Sequence, residues 1–188
     1  MDRYVVGISG ASGVVYGARL VQALTSMGYE VHAVVSDAAR LTAKYELEGS
    51  LEDALAGARV YGEDQLDAPL SSGSFITKGM AIAPCSMRTL AAVAHGIEDN
   101  LLIRAAMVHL KERRRLVLLV RETPLSTVHV ENMLRASSAG AIVMPASPGF
   151  YGRPRTVDDL VNSVVGRVLD LLGVENSLAR RWTGPHEG

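Results

Sequence analysis

Cysteine is almost absent from this chain of 188 residues, where Cys85 stands alone. No internal disulfide can form, and such usage is expected of a protein in the reducing cytoplasm. Net charge is nearly absent too, at -1, so neither nucleic acid nor an anionic membrane is expected as a partner. The basic run Lys111-Glu112-Arg113-Arg114-Arg115 is short and sits in a slightly acidic chain. Long hydrophobic runs are missing. The longest unbroken aliphatic stretch is Leu116 to Val120, against the ~20 residues that a membrane helix needs. The apolar start does not read as a secretory leader, because Asp2 cancels Arg3, glycines interrupt the run and Arg19 arrives early. No His, Cys or Asp cluster has metal-ligand spacing, so no structural zinc is expected. Repeats, low-complexity tracts and linkers are lacking, which leaves one domain over residues 1–188.

What is present is apolar residue, 48% of the chain, set in short runs that alternate with helical patterns. Tyr4 to Ile8, Val31 to Val35, Met80 to Ala83, Leu116 to Val120 and Ala141 to Met144 read as buried strands. Pro84 is expected to stop the third. Helices are expected from Val14 to Met27 with Gly28 as the stop, and from a Ser36 cap to Tyr45. Others are expected at Met87 to Ala94, Leu101 to Glu112 and Val128 to Ser138. Thr156-Val157-Asp158-Asp159 begins a last helix like a capping box with Asp in place of Glu. Val157, Leu160, Val161, Val164, Val165 and Val168 then repeat at helical spacing. Residues 49–75 are irregular. The alternation implies an α/β fold with a mainly parallel sheet covered by helices on both faces.

Ligands of such folds sit beyond the carboxyl ends of the strands, and polar residues collect there. The first strand ends in Gly10-Ala11-Ser12, inside a G-x-x-G-x-x-G spacing from Gly7 to Gly13. That is neither the dinucleotide fingerprint nor a P-loop, but small residues before a helix let backbone N–H groups approach an anion. The second strand ends in Ser36, the third in Pro84-Cys85-Ser86-Met87-Arg88-Thr89, the fourth in Arg121-Glu122, and the fifth runs on to Tyr151. Arg121 and Glu122 face the expected cleft. Arg104 and Lys111, seven residues apart, share a helix face. Read singly, Glu46, Tyr151 and Arg167 are ordinary surface residues. Cys85 has no local histidine and reads as a small half-buried thiol rather than a nucleophile. Glu63-Asp64-Gln65-Leu66-Asp67 lies in a loop and reads as surface.

Taken together, VGISGASG, SSGSF, GMAIAPCSMRTL, RAAMVHLKERRRLVLLVRETPLS, HVENMLRASSAGAIVMPASPGFY and TVDDLVNSVVGRVLD resemble the flavin prenyltransferases, the UbiX-like proteins, in order and over nearly the whole chain. The wording is also similar to the small B subunits of phenolic-acid decarboxylases. The resemblance implies a flavodoxin-like or Rossmann-like fold that binds FMN. It implies a metal-independent transfer of the dimethylallyl group of dimethylallyl phosphate to N5 and C6 of reduced FMN. The prenylated FMN would serve a UbiD-like decarboxylase. A homododecamer with sites between subunits is implied as well.

Carried over on the same resemblance, Gly10, Ala11, Ser12, Ser36, Ser86, Met87, Arg88, Thr89 and Arg121 would hold FMN. Tyr151, Arg167 and Lys111, helped by Arg104 and Glu122, would hold the prenyl phosphate, and Ser12 and Glu46 would relay protons. Trp182 matches an aromatic near the site. The sequence departs from the pattern after Lys111, where relatives often have a proline, and after Tyr151, where many have a histidine. Three other readings stand beside this one. A flavin-dependent cysteine decarboxylase would use a histidine in mid-chain, yet none occurs between His32 and His95. A non-catalytic FMN carrier would need the glycine loop alone. A nicotinamide oxidoreductase would use Asp37 on the ribose, against the glycine spacing.

Overall fold

Strands built almost wholly from Val, Ile, Leu and Ala have no polar face, so each must be covered on both sides. A computed structural model describes residues 1–179, 181 and 184 and meets this demand with six strands. They are β1 (Arg3–Ile8), β2 (Glu30–Val35), β3 (Arg59–Gly62), β4 (Gly79–Cys85), β5 (Arg115–Val120) and β6 (Ile142–Pro145). All neighbours run parallel, in the order β3-β2-β1-β4-β5-β6. This is the Rossmann order, whose direction of winding reverses between β1 and β4.

The helices are α1 (Val14–Ser26), α2 (Asp37–Glu46), α3 (Leu51–Ala54), α4 (Met87–His95), α5 (Leu101–Lys111), α6 (Thr127–Ser138) and α7 (Val157–Leu172). The inward residues of α1 and α7 pack with one face of the sheet, and those of α4 and α5 with the other. No described helix is long and apolar enough to cross a membrane. Ser36 caps α2, and Thr156 with Asp159 forms the expected capping box of α7.

Three expectations need correction. β3 was not foreseen, because Arg59 and Val60 are exposed on a four-residue edge strand with no apolar run to mark it. Pro84 does not end β4. The pairing shifts register after Ile82 and resumes with Cys85 opposite Val120, so the ladder skips the residue that has no N–H to give. The buried stripe of α7 starts at Val161, one turn later than its apolar pattern, and Val157 is 72% exposed.

α1 crosses close over β4. A Cβ added at Gly17 would collide with the carbonyl oxygen of Ala83 and press on Ile8. Alanine would gain about 1 kcal/mol of helix propensity, but a strand carbonyl cannot yield as a side chain does, and overpacking costs about 1–3 kcal/mol. Gly17→Ala should therefore lower the unfolding midpoint in urea despite its better helix propensity.

Candidate functional site

At the winding reversal the loops after β1 and β4 are stitched together by Ser9. Its buried hydroxyl donates to the Pro84 carbonyl at 2.8 Å and accepts from the Ser86 N–H at 2.8 Å. The Ser9 N–H reaches the same carbonyl at 3.2 Å. The glycine loop and the Ser86 loop are thus held as one edge. Gly10 leans on α2, where a Cβ would strike Ala38, so glycine is needed for this close approach.

Three helices begin here, and their first-turn N–H groups are candidates for an anion. Glu46 already occupies α1. From the end of α2 its carboxylate accepts from the Gly13 N–H at 2.8 and 3.1 Å and from the Val14 N–H at 2.9 Å. Glu63 occupies α2. It accepts from the Asp37 N–H at 2.9 Å and the Asn100 amide at 2.8 Å, while its carbonyl accepts from Leu101 at 2.8 Å. The acidic run is therefore not bare surface at its first residue. At α4, Ser86 accepts from the Thr89 N–H and donates to the Thr89 hydroxyl. The N–H groups of Met87 and Arg88 have no acceptor among the described residues. This is the open anion position of the edge.

Around it, Ser12 is exposed, Ser36 is a buried cap, Thr89 is buried in the first turn of α4, and Arg88 pairs with Asp99 at 3.0 Å. Arg121 donates its N–H to the Cys85 carbonyl and sends its charge toward Tyr16 on the first turn of α1. Burial raises the Tyr16 phenol above its usual range, and Arg121 pulls the other way. Glu122 accepts from the N–H of Thr123. Gly10, Ala11, Ser12, Ser36, Ser86, Met87, Arg88, Thr89, Arg121 and Glu46 thus gather at one edge, beside the glycine loop. Cys85 is fully buried rather than half-buried, and burial pushes its thiol far up, which removes it as a nucleophile.

Tyr151 and Arg167 share a different place, a cleft of about 650 Å³ between residues 149–155, the outer side of α7 and the chain after it. Arg167 stands ten residues into α7, about 15 Å along it, and the helix ends with Leu172 against Gly79 at the start of β4. The cleft therefore runs away from the carboxyl edge of its own sheet. It carries Arg153, Arg155, Arg167 and Arg181 against Asp159 and Asp170. Arg153 holds a left-handed backbone with φ 52°, a conformation that costs energy in a non-glycine residue. Burial pushes the Asp170 carboxyl upward, but hydrogen bonds and charge from Arg181 and Arg167 outweigh it and hold it below its usual value.

Two expected donors lie elsewhere. Lys111 pairs with Glu112 at 2.5 Å just before β5, about 20 Å from Arg121 at the far end of that six-residue strand. Arg104 reaches the Ser71 carbonyl at 3.0 Å and Glu98 at 2.5 Å. Both do face one way, toward residues 71–73, but not the site, because α5 runs down the sheet from Asn100. Trp182 lies outside the described residues. Sequence reasoning missed Ser9, Glu63, Asp170 and Arg181. Only Ser9 left a signal, as the hydroxyl directly after β1.

A family model, Flavoprotein, matches residues 1–169. The flavin prenyltransferase UbiX of Saccharolobus solfataricus is 45% identical over 97% of this chain and 92% of its own length. The crystal structure of AnUbiX in complex with FMN and dimethylallyl pyrophosphate superposes with a TM-score of 0.96 at 44% identity, covering 98% of this chain and 99% of that one. A dodecameric FMN-dependent UbiX-like decarboxylase from Escherichia coli O157:H7 gives 0.93 at 48% identity over 97% and 100%.

The Glu46 cap carries a stability consequence. Glu46→Ala strips two N–H groups of their acceptor and should cost about 1 kcal/mol, read as a lower urea midpoint. Glu46→Gln keeps one acceptor oxygen and should lose less.

Proposed function

The chain belongs to the flavoprotein family and, within it, to the UbiX flavin prenyltransferases, and we propose that it joins the dimethylallyl group of dimethylallyl phosphate to N5 and C6 of reduced FMN. The allylic C–O bond breaks and phosphate leaves as that carbon bonds to N5, which gives up its proton; the alkene then takes a proton at its inner carbon, its far carbon bonds to C6, and the C6 proton departs. The prenylated FMN passes to a UbiD-like decarboxylase. One observation carries this reading: the protomer has two anion-binding places of different build, as a reaction between two phosphate-bearing substrates requires.

FMN is the flavin, and the residues at the carboxyl edge fit it. Its phosphate takes the open first turn of α4, on the N–H groups of Met87 and Arg88 with the Ser86 and Thr89 hydroxyls beside them. Gly10, Ala11, Ser12, Ser36 and Arg121 border the rest. The bound reduced flavin supplies the nucleophilic ring atoms. The prenyl phosphate takes Tyr151 and Arg167 in the arginine cleft, where a guanidinium fork grips two oxygens. Holding phosphate as it departs helps to break the C–O bond. Ser12 and Glu46 move the proton. Lys111 and Arg104 have no place in this site within the protomer.

The cleft and the edge belong together only if a second copy brings them so. We therefore propose a homo-oligomer with shared sites, a dodecamer like the Escherichia coli relative. Exposed apolar residues at both places support it: Tyr45 beside Glu46 is 83% exposed, and Phe150 beside Tyr151 is 69% exposed. A flavin carrier would have no use for the cleft.

The reading is tested by incubating the protein with FMN, reductant and dimethylallyl phosphate and weighing the released flavin. Unaltered FMN would refute it. Glu46→Gln should bind FMN normally yet yield little ring-closed product, and an unchanged yield would remove Glu46 from the proton path. Arg167→Ala should weaken use of the donor roughly ten- to a hundred-fold, the worth of a hydrogen bond between charged groups, with Arg167→Lys between. FMN titration should not move. Lost FMN binding with unchanged donor dependence would reverse the two phosphate assignments.

A further inference from the structure

Arg181 lies in the chain beyond α7, yet it lines the same cleft as Tyr151 and Arg167. Both terminal nitrogens of Arg181 reach the Asp170 carboxylate, Nη2 to Oδ1 at 2.8 Å and Nη1 to Oδ2 at 3.3 Å. Arg167 donates its Nη1 to the same Oδ2 at 2.6 Å. One carboxylate thus holds two guanidiniums side by side, and Asn176 completes it with an amide hydrogen bond at 3.0 Å. The side chain of Asp170 is only 18% exposed, whereas Arg167 and Arg181 are 62% and 58% exposed. Arg181 Nη2 also donates to the Asn176 carbonyl at 3.3 Å, and both guanidiniums stay largely exposed while the acid is mostly covered.

The charge balance sets the ligand. Asp159, the other acid of the cleft, is already bound to the backbone N–H groups of Arg155 and Thr156. Asp170 touches two guanidiniums, and Glu175 acts on Arg181 at longer range. Arg153 and Arg155 line the same cleft, so its arginines still outnumber these acids. A neutral alcohol would leave the excess charge unanswered and a carboxylate offers two oxygens, whereas a phosphate dianion brings more charge and oxygens enough for several donors.

We infer that Arg181 is a second guanidinium of the prenyl-phosphate site, supplied by the chain after α7, and that Asp170 is the positioning residue that sets Arg167 and Arg181 as a pair. Two free guanidiniums would repel and splay, so a fixed acid behind them prepares the pair before the donor arrives. The inference rests on the proposed assignment of the donor to this cleft and extends it to a residue outside α7. Arg181 need not merely strap the chain end to α7. A strap requires the ion pair alone, while a ligand also requires that the phosphate be felt.

The experiment follows donor KM, kcat and competitive inhibition by inorganic phosphate for the full chain and for Arg181→Ala and Arg181→Lys. FMN titration and thermal unfolding run alongside. Arg181→Ala should raise the donor KM and the phosphate inhibition constant by roughly tenfold each, with FMN affinity unmoved and Arg181→Lys between the two. Unchanged KM and inhibition constant in a folded Arg181→Ala protein overturn the inference, whatever happens to its melting temperature. If Arg181→Ala does not fold, Arg181→Lys decides alone: an unchanged KM and inhibition constant overturn the inference, and a rise in both supports it. If the unaltered protein makes no prenylated flavin, the reading of its function falls first. Phosphate titration by calorimetry on the flavin-free chain then still tests the pair, and equal affinity with and without Arg181 overturns it.

Discussion

Parallel strands force every crossover helix to start at the same edge of the sheet, and the rest of this structure answers that constraint. The first turns of α1, α2 and α4 bring unpaired N–H groups and partial positive charge to one small area. Left bare, they would offer three competing seats for one phosphate. Glu46 closes the first and Glu63 the second, each from a neighbouring element. At α4, capped by Ser86 as α2 is by Ser36, no carboxylate from a neighbouring element reaches the first turn among the described residues, so its positive end is not neutralised. The choice of phosphate seat is thus made by what the other two helices have already bound.

The arginine cleft, the proposed seat of the prenyl phosphate, offers different physics. A helix end binds through fixed backbone dipoles and asks for close approach, which small residues allow. The cleft binds through full charges on long side chains, which must be held in place because each carries much rotamer freedom. Asp170 does that holding for Arg167 and Arg181. A phosphate that stays with its nucleotide suits the first kind of seat. One that must leave with the charge of a broken bond suits the second, where donors can follow it.

Much of this was legible in the residues because it follows from local rules. Unbroken aliphatic strands announced the covered parallel sheet, and Ser36 announced the cap of α2. The edge strand β3 was hidden, since exposed residues leave no hydrophobic period. The run through Pro84 was hidden because a local rule, that proline ends a strand, was overridden by a shift of register with β5. Seven-residue spacing put Lys111 on the face of Arg104, but spacing cannot say which end of a helix lies beside which edge of the sheet, and within the protomer both stand away from the glycine-loop edge. The roles of Glu63 and Asp170 come from contacts 26 or more residues apart in one case and between α7 and the chain beyond it in the other, and neither distance has a mark in a linear pattern.

Glu46, the proposed proton acceptor, is also a structural cap. A carboxylate offers about four lone-pair sites, and three are engaged by the N–H groups of Gly13 and Val14. One site stays open. A proton arriving there would cancel the charge that α1 is using, weakening the charge-assisted bonds to Gly13 and Val14. Proton arrival and the seating of the loop are therefore coupled through two backbone N–H groups.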